Sequence, residues 1–255
     1  MIALGSRLAG CRGVRTLGVK PDFSHYTEEE AALIRQAPKI YYPSAFYADI
    51  FEAMGKAVFP SARTYAFAQD KIRQTALFSA LSIPHPKTRV YFGKRRHARI
   101  TRDFSFPFIA KIPRGSSQGR GIFLIRNEKE LSAYCAQVHA AYIQEYLPVE
   151  ADVRVVVIGG RPVCSYRRIG EPGRVAANVS AGGRIEFSGV PDEAVETAVS
   201  AARAAGFDDV GMDVAVYKGR CFVLEANMKY GTKGMTQAGI DYRRLMERLI
   251  ADGTI

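Results

Sequence analysis

The chain is poor in the residues that build metal clusters or disulfide frameworks. Its 255 residues include four cysteines, Cys11, Cys135, Cys164 and Cys221, and four histidines, His25, His85, His97 and His139. The cysteines show no paired metal spacing and the histidines have no neighbours of ligand type. This excludes knuckle-type zinc sites and leaves free buried thiols in a reducing compartment as the expectation. Long apolar runs are lacking too. No stretch approaches the roughly 18 residues of a membrane span, and the N-terminus, broken by Arg7, Gly10, Arg12 and Gly13, has no continuous signal-peptide core. A cytoplasmic location with no membrane partner is expected. Composition supplies 47% hydrophobic and 24% charged residues, enough for one large or two to three small subdomains around a packed core.

Acidic residues are missing from one segment. Residues 87–102 hold Lys87, Arg89, Lys94, Arg95, Arg96, Arg99 and Arg102 with no Asp or Glu, seven charges against a net +11 for the whole chain. Such a patch raises encounter rates with an acidic partner or nucleic acid; the alternative is a solvated strand-loop-strand. No nucleic-acid motif accompanies it, so nucleic acid is disfavoured as a partner.

The most informative stretch is Gly211-Met-Asp-Val-Ala-Val-Tyr-Lys-Gly-Arg-Cys-Phe-Val-Leu-Glu225-Ala-Asn227. Its alternation predicts a β-hairpin with Val214, Val216, Phe222 and Leu224 on one face and Asp213, Ala215, Val223 and Glu225 on the other. With a three-residue loop from Lys218 to Arg220, Asp213 lies opposite Glu225 and Asn227 follows on the same face. Facing carboxylates repel on a purely structural surface. A hard divalent cation with oxygen ligands relieves that repulsion, and the set suggests magnesium. On this reading, removing the charge of Glu225 relieves repulsion in the metal-free chain.

A second segment, Phe106 to Ile125, places Lys111 at the end of one apolar strand and Gly115, Gly119 and Gly121 in a loop before the next. It is not a phosphate loop of the Gly-Lys-Ser/Thr kind, because a strand follows and the lysine precedes. Nor is it the glycine loop of a protein kinase, since His-Arg-Asp and Asp-Phe-Gly are absent. Bare backbone N–H groups at a glycine-rich tip can approach phosphate oxygens, with Lys111 adding positive charge beneath. A third segment, Tyr142-Ile-Gln-Glu-Tyr-Leu-Pro-Val-Glu-Ala-Asp152-Val-Arg154 running through Gly159-Gly160 to Arg167-Arg168, predicts another hairpin at the Gly-Gly pair.

In this order, the lysine strand, glycine loop, Gln-Glu-Tyr-Leu linker, Asp-x-Arg strand and Asp/Glu-x-Asn hairpin resemble the ATP-grasp superfamily, most closely the RimK-type amino-acid ligases. The resemblance covers roughly residues 60 to 250. It implies an α+β ATP-grasp fold of two lobes clasping ATP, with a shortened N-terminal αβ unit over 1–62 and the ATP-grasp domain over 63–255 (small lobe about 88–145, large lobe about 146–255). It also implies an ATP-dependent carboxylate-amine ligase that releases ADP and phosphate through an acyl phosphate. The cofactors implied are ATP and one or two Mg2+ ions, with Mn2+ as an alternative. Lys71 and Lys111 would contact phosphates, as would the loop residues Gly115, Ser116, Gly119 and Gly121. Glu145, Tyr146 and Leu147 would hold adenine, Asp152 would meet the ribose, and Asn178 would belong to the same nucleotide site. Asp213, Glu225 and Asn227 would hold the metal. Arg154, Arg167 and Arg168 are candidates for the developing acyl phosphate or a substrate carboxylate. Implied partners are a carboxylate-bearing acceptor, small molecule or protein or peptide terminus, and an amine or amino acid; a homo-oligomer stays open.

Departures from the pattern are specific. Ala176 and Ala181 stand where family members carry arginines, and Lys229-Tyr230-Gly231 replaces a Ser-Pro-Gly near the substrate. An ATP-grasp chain that phosphorylates a non-carboxylate acceptor or has lost ligation is therefore the alternative reading. Along the chain, strands are expected near 14–19, 39–42 and 57–59. Helices are expected from a Thr27/Glu30 capping box, over 44–54, as one piece over 65–81, over 129–139, over 192–205 before Gly206, and over 242–250.

Overall fold

The computed structural model describes residues 1–113, 121–170 and 183–255. The N-terminal unit is a parallel sheet of order β2-β1-β3-β4, formed by β1 (Ile2–Ala3), β2 (Arg15–Thr16), β3 (Lys39–Tyr41) and β4 (Ala57–Phe59). Its crossovers are α1 (Glu28–Gln36) and α2 (Ala45–Ala53). The capping box predicted for α1 is formed: Glu30 N donates to Thr27 Oγ1 at 3.2 Å and Thr27 N to Glu30 Oε2 at 3.0 Å. The helix expected over 65–81 is two helices, α3 (Ala62–Phe67) and α4 (Lys71–Ala80). Asp70 makes the break, since its carboxylate accepts from Ile72 N and Arg73 N at 3.0 and 3.1 Å and caps α4. Lys71 thereby becomes the first helical residue.

The small lobe comprises β5 (Thr88–Tyr91), α5 (Arg96–Asp103), β6 (Phe108–Lys111), β7 (Ile122–Ile125), α6 (Glu128–Gln137) and β8 (Ala141–Glu145). Its sheet is antiparallel in the order β5-β8-β6-β7. The basic segment is thus no strand-loop-strand: residues 96–103 are helical, because Ile100 and Phe104, four apart, join Tyr91, Phe108, Leu131 and Ile143 in one core. Both helices cover this face of the sheet. Lys111, Tyr142 and Gln144 point to the other.

The large lobe holds β9 (Ala151–Ile158), β10 (Arg161–Ile169), β11 (Arg184–Glu186), α7 (Asp192–Ala205), β12 (Asp209–Tyr217), β13 (Arg220–Asn227), α8 (Lys233–Gln237) and α9 (Tyr242–Ala251). Its antiparallel sheet runs β11-β10-β9-β12-β13. Gly159 and Gly160, at φ +58° and +74°, make the predicted two-residue turn between β9 and β10. Alternation sorts β9 cleanly. Val153, Val155 and Val157 pack beneath the alanine face of α7, whereas Asp152, Arg154, Val156 and Ile158 face the other way. On that second face the apolar end joins α9 and the N-terminal unit in a shared core with Tyr41, Tyr42, Phe59, Leu245 and Leu249. The charged end brings Asp152 within electrostatic reach of Lys111 of the small lobe.

The same junction is pinned by charge. Fully buried Asp209 accepts from Tyr42 Oη at 2.8 Å, Tyr230 Oη at 2.6 Å and Arg7 Nη1 at 3.3 Å. Arg7 also donates to Met228 O at 3.1 Å and lies 4.4 Å from the centre of the Tyr230 ring.

The β12–β13 hairpin meets its expectation by a different route. The loop is two residues, not three: Tyr217 pairs with Arg220, with Lys218 and Gly219 both left-handed at φ +50° and +69°. That register puts Val223, not Phe222, beside Val214 in the α7 core, so the expected faces of these two residues are exchanged. A bulge at Leu224 then inserts one residue and restores the pairing of Asp213 with Glu225. Lysine is a poor occupant of the left-handed position. Lys218→Asn is therefore expected to raise the unfolding free energy by about 0.5–1 kcal/mol, while Gly219→Val lowers it by more than about 1 kcal/mol. Urea denaturation at equilibrium measures both, and the opposite order would contradict the two-residue loop.

Candidate functional site

Sheet alternation brings Arg154, Arg168 and Asp213 to one face of neighbouring strands, and the two guanidiniums close on the carboxylate. Arg154 takes Asp213 in a fork, Nε to Oδ1 and Nη2 to Oδ2, the latter at 3.0 Å. Arg168 bridges two acids: its Nη2 lies 2.9 Å from Asp213 Oδ2, and Nε and Nη2 reach Asp152 at 2.6 and 2.7 Å. All four residues are buried. Burial pushes the Asp213 carboxyl up, but Arg154 and Arg168 outweigh it and hold the group below its ordinary value. Burial likewise opposes the Arg168 charge, and Asp152 and Asp213 more than restore it. The close approach of Tyr230 to β12 requires Gly211, where a Cβ would stand 2.5 Å from Tyr230 Cβ; the Tyr230 carbonyl then accepts from Arg154 Nη1 at 3.1 Å.

Glu225 faces a different cation. Lys71 Nζ, at the start of α4, lies 2.9 Å from Glu225 Oε1, with both side chains about four-fifths buried. Lys111 enters from the small lobe. Its side chain is buried, and among the described residues its ammonium has neither a hydrogen-bond acceptor nor an ion-pair partner. Burial lowers its pKa, Glu225 counteracts, and Lys71 lowers it further. The described cluster therefore holds four cations, Lys71, Lys111, Arg154 and Arg168, against three carboxylates, Asp152, Asp213 and Glu225. An unpaired ammonium out of water is costly, and an anion entering between the lobes would remove that cost.

Other residues singled out by sequence fall variously. Arg167 is on the opposite face of β10 from Arg168, half-exposed beside Glu186 at 3.3 Å, so the structure does not bring it to the cluster. Adjacent strand residues point to opposite faces, which is why a tandem arginine cannot deliver both. Asp152 is engaged by Arg168. Glu145 ends β8 and gives its N–H to Lys87 O at 2.8 Å, whereas the amides of Tyr146 and Leu147 donate to no acceptor among the described residues. Gly121 is left-handed at φ +85° and its carbonyl accepts from Ile112 N. Gly115, Ser116, Gly119 and Asn178, with Ala176 and Ala181, lie outside the described residues.

Sequence reasoning missed Gln74. Buried on α4, it pairs with the backbone of Ala226, the residue between Glu225 and Asn227, giving Nε2 to Ala226 O and taking Ala226 N at Oε1, each at 2.9 Å. β13 is the last strand of its sheet, and this amide supplies the ladder contact its open edge lacks. Thr75 Oγ1, one residue on, meets Tyr142 Oη of the small lobe at 2.6 Å. The signal was present as Lys71, Gln74 and Thr75 at i, i+3, i+4 on one helix face.

Asp213, Glu225 and Asn227 fit a magnesium ion in kind. Asp213 and Glu225 are directly paired across the hairpin, and Asn227 Nδ2 stands 3.4 Å from Asp213 Oδ2, so a turn of the amide presents its oxygen instead. Among the described residues no cluster of three or more His, Cys, Asp or Glu could hold a metal without other donors. Two carboxylates and an amide suit an ion that keeps phosphate and water oxygens for the rest of its shell, as magnesium does, and manganese accepts the same oxygens.

The unpaired lysine yields a test. Because Lys111 has a folded pKa below its ordinary 10.5, the unfolded chain holds the proton more tightly. Its destabilising contribution is full below the folded pKa and fades as pH rises towards 10.5. Lys111→Met is expected to raise the melting temperature of the ligand-free protein at pH 7 by a few degrees, for about 1–2 kcal/mol. That advantage over the parent should shrink as pH rises from 7 towards 10.5, and at pH 7 the variant should lose any stabilisation by MgATP that the parent shows. A fall at pH 7 would mean that Lys111 is structurally paired.

Residues 68–250 match the family described as RimK-like ATP-grasp domain. A protein of Haemophilus influenzae named "Probable alpha-L-glutamate ligase" is 32% identical over 200 residues, covering 75% of this chain and 65% of the relative, so the chain spans just under two thirds of that relative's length. In fold, the chain is similar to D-alanine--D-alanine ligase from Bacillus anthracis in complex with ATP (TM-score 0.72, 14% identity, 98% and 95% of the two chains). It is likewise similar to the ATP-grasp ligase PsnB complexed with a precursor peptide and AMPPNP (TM-score 0.68, 20% identity, 98% and 97%). With the family matched over most of its length and the two-lobed ATP-grasp fold present, the chain belongs to the RimK-like ATP-grasp family.

Proposed function

We propose that the chain is an ATP-dependent carboxylate-amine ligase: a carboxylate oxygen of the acceptor attacks the γ-phosphorus of ATP, ADP leaves, and an amine then displaces phosphate from the acyl phosphate to give an amide. The observation that carries this reading is the buried excess of positive charge between the lobes, centred on an unpaired Lys111 above a facing pair of carboxylates. Phosphoryl transfer needs little side-chain acid-base chemistry; positioning and charge neutralisation dominate. Lys71 and Lys111 bind phosphate oxygens from opposite lobes. The free amides of Tyr146 and Leu147 receive the adenine edge, and the glycine loop over Gly115, Ser116, Gly119 and Gly121 covers the phosphates. Magnesium, when bound, neutralises phosphate charge and polarises the transferring group, and Asp213, Glu225 and Asn227 are the residues that would hold it. Arg154 and Arg168 orient Asp213 and would supply positive charge to the group being transferred; Asp152 fixes Arg168 first and would meet the ribose second.

The glutamate ligase relative supports an amino acid as the amine. PsnB shows the same fold accommodating a peptide, which supports a polypeptide carboxylate as acceptor. Lys229-Tyr230-Gly231 marks the chain as different near the substrate, so glutamate is not assigned. The alternative, phosphorylation of a non-carboxylate acceptor or binding without ligation, draws on Ala176 and Ala181 in place of arginines.

Turnover with the true acceptor is expected to give ADP and phosphate, and hydroxylamine in place of the amine should yield a hydroxamate. ADP without hydroxamate would favour the alternative, and production of AMP would contradict both readings. Glu225→Gln is expected to abolish turnover. The repulsion argument from sequence predicts that it also stabilises the ligand-free protein, but the ion pair with Lys71 and the surplus of cations reverse that sign. A loss of about 0.5–1 kcal/mol is expected, discounted for the partial exposure of the pair, and thermal unfolding without nucleotide reads it.

A further inference from the structure

The structure sorts the seven cations of residues 87–102 into two groups. Four are used internally. Arg89 and Arg102 pair with Asp103 at 2.7 and 3.0 Å, and Lys87 Nζ donates to Asp103 O at 2.5 Å. Arg96 caps the end of α6, donating to the carbonyls of Cys135 and His139. The other three have no anionic partner among the described residues. The exposed side chains of Lys94 and Arg95 make no hydrogen bond or ion pair among the described residues, and exposed Arg99 lies 5.6 Å from the Tyr91 ring. Next to them Phe92 is 52% exposed.

This arrangement opposes local stability. Arg95 is the N-cap of α5, no acid occupies the first turn, and Arg96 and Arg99 follow, so positive charge collects at the positive end of the helix dipole. It also sits away from the chemistry. α5 packs on the face of the small-lobe sheet opposite Lys111 and Tyr142, so these cations do not line the cleft. β5, which leads into the patch, is the edge of its sheet and pairs on one side only, with β8.

We infer that this outer surface, Phe92, Lys94, Arg95 and Arg99 beside the open edge of β5, docks an acidic segment of a polypeptide acceptor at a distance from the carboxylate being activated. The inference rests on the proposed reading that the acceptor is a polypeptide. Three observations favour polypeptide over nucleic acid. Only three cations are free, too few for the counterion release that drives phosphate-backbone binding, which scales with the number of phosphates neutralised. An open strand edge offers main-chain hydrogen bonds to an extended peptide. An exposed phenylalanine between the two adds an apolar contact of the kind that fixes register.

Fluorescence anisotropy of the full chain with a fluorescein-labelled Glu-Ser repeat peptide, in the absence of ATP, tests it. The acidic peptide is expected to bind, a Gln-Ser repeat is not, and the triple change Lys94→Gln, Arg95→Gln, Arg99→Gln should weaken binding by about tenfold, the combined effect of three exposed ion pairs. The effect should fade as salt shortens the electrostatic reach to about 8 Å at 0.15 M. Arg96 is left unchanged because its loss would uncap α6. The triple variant should keep the parent's melting temperature or exceed it, and keep its MgATP-dependent thermal shift. Equal binding of the acidic peptide by parent and triple variant would overturn the inference, as would tighter binding of a single-stranded RNA of matched charge. Binding is read without turnover, so failure to form ADP would sink the ligase reading and leave the docking result standing.

Discussion

Four cations and three carboxylates share one largely buried volume, and the fold around them is arranged to make that tolerable. Charges removed from water are costly unless each is closely matched, and removing one partner of such a pair costs more than the pair contributes. The large lobe solves this with arginine: two planar forks lock Asp213 and Asp152 into a continuous chain on one face of β9, β10 and β12. The small lobe leaves Lys111 unmatched. The imbalance falls at the junction of the lobes, so an anion bound there satisfies a group from each and holds the cleft together.

Rigid support converges on the hairpin that carries Asp213 and Glu225. From one side α4 offers Lys71 to the Glu225 carboxylate, Gln74 to the Ala226 backbone and Thr75 to Tyr142 of the small lobe. Pro84 O takes Val223 N at 2.8 Å a few residues earlier on the same strand. From the other side the N-terminal unit reaches in through Arg7, whose contacts to Asp209 and Met228 O bracket the start of β12 and the exit of β13. The candidate metal-holding residues Glu225 and Asn227 lie on the final strand of the sheet, whose open edge is thus met by the Gln74 amide and the Pro84 carbonyl. Displacing any of these anchors would move the candidate donor atoms, to which the proposed phosphoryl transfer would be sensitive.

Much of this was legible. The capping box of α1, the Gly-Gly turn, α7 with its Gly206 stop and the Asp213–Glu225 opposition all follow from local chemistry whose signals lie a few residues apart. The misreadings share a cause: each turned on a competition that pattern alone does not decide. A two-residue loop with a bulge at Leu224 and a three-residue loop without one give the same Asp213–Glu225 pairing, and only the apolar face of α7 selects Val223 over Phe222. Asp70 was read as part of a helix when its side chain ends one and starts another. The charges of 87–102 concealed the Ile100 and Phe104 spacing that makes α5 helical. The helix face of Lys71, Gln74 and Thr75 is visible in the spacing but its partners are not, because Gln74 meets Ala226 152 positions away and the Arg154–Asp213 fork spans 59.

The forks also constrain how the carboxylates can act. Asp213 Oδ2 is approached by Arg154 Nη2, Arg168 Nη2 and Asn227 Nδ2, and Oδ1 by Arg154 Nε. Oδ2 is thus crowded with donors, whereas Oδ1 has the one among the described residues and keeps a lone pair free. A divalent cation drawn to Oδ2 would compete with these donors, of which Arg168 would keep its fork to Asp152 and Arg154 its bond to Tyr230 O. An accompanying polyphosphate would offer acceptor oxygens to such donors and to Lys111. With four cations already facing three carboxylates among the described residues, a metal ion alone would add to the positive surplus and a polyphosphate beside it would offset that surplus, so the charge balance would couple the two ligands.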